Sequence, residues 1–252
     1  MPAVSPNLWV TRPSPSAKAT KRLFCLPFAG GGASVYRSWA THFGPTLEVC
    51  PIQFPGREGR IFESAFTAVD ALVATLKKHL SPYLDRPYAF YGHSMGALVT
   101  FELAQAIARD DRLPNPERIF VAAHRAPQLP LQRTPLSDLS PDAFVEKLKE
   151  YGGFDQEILN NIEMMELILP TLRADFTLCE SYQYKTSPKL KYPIHVFAGT
   201  EDQQTTVEST YAWDQHSDVS VDSTLFTGGH FFLNSCQQDV LKKIGQTLLS
   251  TQ

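Results

Sequence analysis

Ser94 stands in the run Gly92-His-Ser-Met-Gly96, and His230 follows the glycine pair Gly228-Gly229 late in the chain. A serine hydroxyl is a weak nucleophile at neutral pH, so a serine that does chemistry needs a base to take its proton as it attacks. An imidazole suits that task, and a carboxylate behind it fixes the ring tautomer and stabilises the imidazolium. Asp202, in Gly199-Thr-Glu-Asp-Gln203, is the favoured carboxylate, and Glu201 beside it is the alternative. The order serine, acid, histidine is one in which such triads occur along a chain. An earlier site for the acid, after the apolar run Arg118–Ala123, is vacant: the chain continues His124-Arg125, and the next carboxylate is Asp138.

Attack on a carbonyl builds an oxyanion, which needs hydrogen-bond donors aimed at it. The backbone N–H of Met95, directly after the serine, is one candidate. That of Ala29, at the mouth of the glycine turn Gly30–Gly32, is the second. Both would act through the main chain. Of the remaining histidines, His42, His79 and His216 lie in polar or helical surroundings and are expected to be exposed. His195 falls inside an apolar run and reads as a hydrogen-bonded core residue, and His93 occupies the variable position before the serine. His124 ends a strand that points toward the same crevice as Ser94.

Short apolar runs at Arg22–Pro27, Leu47–Phe54, Tyr88–Tyr91, Arg118–Ala123, Ile194–Ala198 and Val219–Phe226 are bounded by glycine, proline and polar clusters and read as strands. Helical periodicity occupies Ala68–Leu80 and the stretch from Met95 to Arg109, so strands alternate with helices. This implies an α/β fold with a mainly parallel sheet covered on both faces. Ser94 then lies where a strand turns sharply into a helix, the setting in which a G-x-S-x-G motif presents its hydroxyl. Between residues 127 and 184 the alternation fails, and helical patterns at Pro141–Tyr151, Asp155–Leu169 and Thr171–Tyr184 suggest a helical lid inserted into one domain spanning 1–252. Residues 1–22 read as an extended or frayed lead-in.

The 252 residues are 43% hydrophobic and 19% charged, the composition of a globular domain. No run approaches the ~20 apolar residues of a membrane span, and residues 1–22 lack the apolar core of a secretory signal. A cytoplasmic protein is expected. The net charge of −3 gives no reason to expect nucleic acid. Cys25, Cys50, Cys179 and Cys236 are scattered without metal-ligand spacing, so neither a disulfide scaffold nor structural zinc is expected.

Together the segments LPFAGGGAS, IQFPGREGR, FYGHSMGALVTFELA, LPTLRADFTLCESYQY, AGTED and TGGHFFL resemble the type II thioesterases of nonribosomal peptide and polyketide synthetases, a branch of the α/β-hydrolase superfamily. The resemblance spans nearly the whole chain. Two positions depart from it: Phe28 stands where members often have histidine, and Thr200–Gln204 replaces an aspartate-rich turn followed by proline. The resemblance implies hydrolysis of acyl or aminoacyl thioesters held on the phosphopantetheine arm of a carrier protein. It implies Ser94, His230 and Asp202 as the catalytic residues, no cofactor or metal of the enzyme's own, and a carrier protein as docking partner; a monomer is expected. A carboxylesterase or lipase acting on oxygen esters would use the same residues, and a catalytically idle synthetase-docking module is a third possibility.

Overall fold

The computed structural model describes residues 7–151 and 156–249. Six strands, β1 (Lys21–Leu26), β2 (Leu47–Pro51), β3 (Tyr88–His93), β4 (Arg118–Ala122), β5 (Ile194–Gly199) and β6 (Val221–Phe226), pair in parallel in the order β2-β1-β3-β4-β5-β6. The inner strands are buried on both faces, as parallel strands linked by crossover helices must be. Successive side chains point to opposite sides. Phe24 and Leu26 therefore join a core with α1 (Val69–Leu80) and α2 (Met95–Ala108), while Leu23 and Cys25 join a second core with α8 (Gln237–Leu249).

Among the described residues three helices lie between β4 and β5: α3 (Pro141–Tyr151), α4 (Gln156–Asn160) and α5 (Ile162–Glu180). They share a separate apolar cluster built on Phe144, Leu148, Leu159, Met165, Leu172 and Phe176. The second and third helical patterns divide differently from expectation, and Asp155 lies outside the described residues. The break comes at Asn161, whose Oδ1 accepts the Met164 amide at 3.0 Å and starts a new helix. The expected break near Pro170 does not occur, because Met165 before it and Leu172 and Phe176 after it pack into one cluster and hold α5 across the lost N–H.

From residue 7 onward the lead-in is better anchored than expected. Val10 forms an antiparallel bridge with Ile52, and Trp9 stacks on His79 and lies under the Arg60 guanidinium. Two short helices follow β5, α6 (Val207–Tyr211) and, after β6, α7 (Phe232–Ser235). Among the described residues no helix is long and apolar enough to cross a membrane.

Candidate active site

Strand order reverses between β1 and β3, whose neighbours lie on opposite sides, and the crevice outside the carboxyl ends of such strands is where open α/β sheets bind ligands. Ser94 sits there, at the junction of β3 and α2, with φ 53° and ψ −117°. A non-glycine residue avoids that conformation unless its surroundings enforce it. They do. The Ser94 amide donates to the Ala122 carbonyl at 2.8 Å, and the flanking glycines permit main-chain contacts no side chain could share. A Cβ on Gly92 would stand 2.0 Å from the Gly96 carbonyl oxygen, and one on Gly96 would stand 2.2 Å from that of Leu26.

The loop after β6 brings His230 over the same crevice. Its Nε2 lies 2.9 Å from Ser94 Oγ and its Nδ1 lies 2.8 Å from Asp202 Oδ2. An ionised carboxylate only accepts, so Nδ1 carries the proton and Nε2 is left to accept from the serine hydroxyl. Asp202 is buried, and its other oxygen receives the amides of Gln204 at 2.8 Å and Thr205 at 3.1 Å. Those bonds fix the carboxylate before any substrate arrives. Glu201 is exposed, so of the two neighbouring carboxylates it is Asp202 that faces the imidazole.

Ala29 and Met95 line the cavity that contains Ser94 and His230, about 600 Å³ in volume. Met95 opens α2, where backbone amides lack intrahelical acceptors and the helix dipole favours negative charge. Ala29 belongs to a turn closed by the Gly31 amide on the Phe28 carbonyl at 2.9 Å, with Gly30 at φ 78°. The cavity's apolar wall includes Phe28, Met95, Phe176 and Phe231, while Arg125, Gln132 and Gln203 make it polar elsewhere. Among the described residues no cluster of three or more His, Cys, Asp or Glu could hold a metal ion.

The other histidines sort by burial. His93 is fully buried, donates from Nε2 to the His230 carbonyl at 2.8 Å, and is held neutral by burial, its pKa lowered to about 3. Phe28 packs edge-on against it. His124 lines the cavity, donates from Nδ1 to the Arg125 carbonyl at 2.6 Å, and is likewise lowered by burial to about 3. His195 is buried with Nε2 at 2.8 Å from Thr224 Oγ1, and His42 is exposed. His79 is half-buried against Trp9. His216, expected outside, is buried: its ring packs on Phe101 and Trp213 and its Nε2 meets Gln128 Oε1 at 2.6 Å. A polar stretch of sequence hid a residue whose partners come from α2 and the insertion.

A family model for the thioesterase domain matches residues 21–248. The chain belongs to the thioesterase family. This thioesterase is 37% identical to the gramicidin S biosynthesis protein GrsT of Aneurinibacillus migulanus, over 94% of the chain and 92% of GrsT. It is 38% identical, over 98% and 95% of the two chains, to the protein of Brevibacillus parabrevis named linear gramicidin dehydrogenase LgrE. Among solved structures, the type II thioesterase BorB from the borrelidin biosynthetic cluster superposes with a TM-score of 0.86 at 32% identity, covering 95% of this chain and 97% of BorB. The thioesterase therefore has the α/β-hydrolase fold, and the family's reaction class is thioester hydrolysis.

Sequence reasoning gave no role to Arg57 or Asp175, although both fall in the segments that carry the resemblance. They form a buried bidentate ion pair, Nη1 to Oδ2 and Nη2 to Oδ1, each at 2.8 Å. Their separation of 118 residues left no local signal of the contact.

Proposed function

We propose that this chain is an editing, type II thioesterase that hydrolyses acyl or aminoacyl thioesters from the phosphopantetheine arm of synthetase carrier proteins. The reading is carried by one observation: the His230 imidazole bridges Ser94 and Asp202 at the wall of a cavity that admits an acyl group. The likeness to BorB and to GrsT supports the pathway class.

In the first half-reaction Ser94 Oγ bonds to the thioester carbonyl carbon as its proton passes to His230 Nε2. The oxyanion rests on the amides of Ala29 and Met95. The carbon–sulfur bond then breaks, and the departing pantetheine sulfur takes the proton from His230. Water enters, gives a proton to His230 and attacks the acyl-serine; the free acid leaves and Ser94 recovers its proton. Asp202 stays ionised throughout and keeps the imidazole aligned. Charge is balanced at each step without a metal or an organic cofactor.

The helices between β4 and β5 serve as a lid under which the carrier's arm enters. A monomer acting in the cytoplasm, with a carrier protein as partner and neither nucleic acid nor membrane, completes the proposal. Offering the chain an acyl carrier thioester and an oxygen ester of the same acyl group tests it. Faster release from the thioester, lost by at least a thousandfold in Ser94→Ala, is expected, because nucleophile and base act as a unit (about 10⁶ in a comparable triad). Equal or faster turnover of the oxygen ester would favour a carboxylesterase, and unchanged turnover in Ser94→Ala would leave the serine without its role.

A further inference from the structure

The turn that carries Ala29 is held from outside by residues of two distant segments. The Gly30 amide donates to Asp175 Oδ2 at 2.7 Å, and the Gly31 carbonyl accepts from Arg57 Nη1 at 3.3 Å. The Gly31 amide is committed to Phe28 within the turn. Of the three successive amides at 29, 30 and 31, that of Ala29 alone has no acceptor among the described residues. With Gly30 at φ 78°, the central peptide of the turn could be flipped at little cost, because glycine tolerates either sense. Asp175 removes that freedom by fixing where the Gly30 N–H points.

Asp175 belongs to α5, in the insertion, and Arg57 to the loop after β2. One helical turn earlier, Thr171 Oγ1 donates to the Gly56 carbonyl, so the same face of α5 is fastened to this loop twice. Arg57 and Asp175 are both buried, 5% and 2% exposed, and Arg57 Nε also donates to the Pro55 carbonyl at 3.1 Å. A buried ion pair contributes little net stability over an apolar pair of the same volume, so stability alone is a weak reason for placing one here.

We propose that Arg57 and Asp175 are positioning residues for the oxyanion site: by committing the Gly30 amide and the Gly31 carbonyl they fix two peptides that follow Ala29 and so hold the turn from which the Ala29 amide meets the substrate, and they make that hold depend on α5 being seated. This rests on the reading of Ser94 as nucleophile. A thioester carbonyl could then be stabilised only when the insertion is docked over the loop after β2, which couples closure to turnover.

The test uses the full chain and phenylboronic acid, whose boron accepts Ser94 Oγ while the serine proton passes to His230, leaving a tetrahedral boronate whose oxygen occupies the oxyanion position. In the wild type, the amide proton of Ala29 is expected to shift downfield on adduct formation while that of Gly30, already bonded to Asp175, stays in place. The paired substitution Arg57→Met with Asp175→Leu keeps the volume apolar and is expected to remain folded. Its kcat should fall about a hundredfold, as for loss of one oxyanion donor, with KM for the acyl carrier unchanged and boronate affinity reduced in parallel.

Arg57→Lys, which keeps charge but loses the bidentate fork, should fall between the two. A folded double variant with wild-type kcat and boronate affinity, or a wild type in which Gly30 responds to the boronate and Ala29 does not, would overturn the proposal while leaving Ser94 as nucleophile. Failure of the wild type to form any Ser94 adduct would remove the underlying reading and this one with it. The amide measurement needs no variant to fold.

Discussion

His93 Nε2 donates to the backbone carbonyl of His230 across 2.8 Å, tying the residue before the serine to the residue that faces it. The bond reaches the main chain of His230, leaving both of its ring nitrogens for Ser94 and Asp202. Replacing the donor should unpair a buried carbonyl, at a cost of about 1–3 kcal/mol, and loosen the loop. His93→Phe keeps the aromatic contacts with Phe231 and Phe232. A kcat reduced about ten- to a hundredfold is expected, since small misplacements of a reacting group are costly. Steady-state turnover with a melting curve checks it; unchanged kcat would mean the loop is held by other contacts.

Acid should destabilise this fold earlier than carboxylate protonation would. Burial lowers His93 and His124 to about 3 and His195 and His216 to about 4, from an ordinary value of 6.5. Each imidazole binds its proton less readily in the native state than in the unfolded chain. Stability is therefore complete above about pH 6.5 and falls as the pH drops toward the folded values. His93 and His124 should each contribute about 1.4 kcal/mol per pH unit within that window. Urea midpoints at pH 7.5, 6 and 5 measure the slope, and a flat profile would contradict neutral burial.

Asp202 and Glu201 should respond oppositely to loss of charge. Asp202→Asn leaves an amide where the imidazole N–H expects an acceptor, and the amide can reverse the tautomer. A fall of about 10³–10⁴ in kcat is expected, following the behaviour of other triads. Glu201→Gln, on an exposed side chain, should stay near wild type. Parallel kinetics of the two variants decide the assignment, which reverses if Glu201→Gln is the inactive one.

Pro170 divides α5 into unlike halves. Before it, Ile162, Met164 and Leu167 are 76%, 43% and 50% exposed; after it, Leu172, Asp175, Phe176 and Leu178 are buried. Few buried contacts mean low local stability. Amides at 162–169 should therefore exchange with solvent faster than those at 172–180. Hydrogen exchange read by mass spectrometry tests this, and uniform protection along α5 would refute it.

The strands were legible in the sequence because parallel, doubly buried segments need unbroken apolar runs, and Leu47, Tyr88 and Ile194 each begin one. Ser94 was legible because its strained turn demands glycine on both sides, a local requirement that leaves a local mark. Asn161 was missed as a helix start because its capping bond outweighed the continuing periodicity around it. His216 and the Arg57–Asp175 pair were hidden for a shared reason: their surroundings are assembled from remote segments, and neither composition nor spacing near a residue reports what the fold will bring to it. Gly30 adds a further obstacle, since its contribution is a backbone N–H that every residue but proline possesses.

The placement of His230 after β6, the strand that closes one edge of the sheet, carries a consequence for biogenesis. On the mechanism proposed above, a nascent polypeptide that has already arranged its first five strands still holds an unassisted serine, because its proton acceptor arrives with the residues after β6.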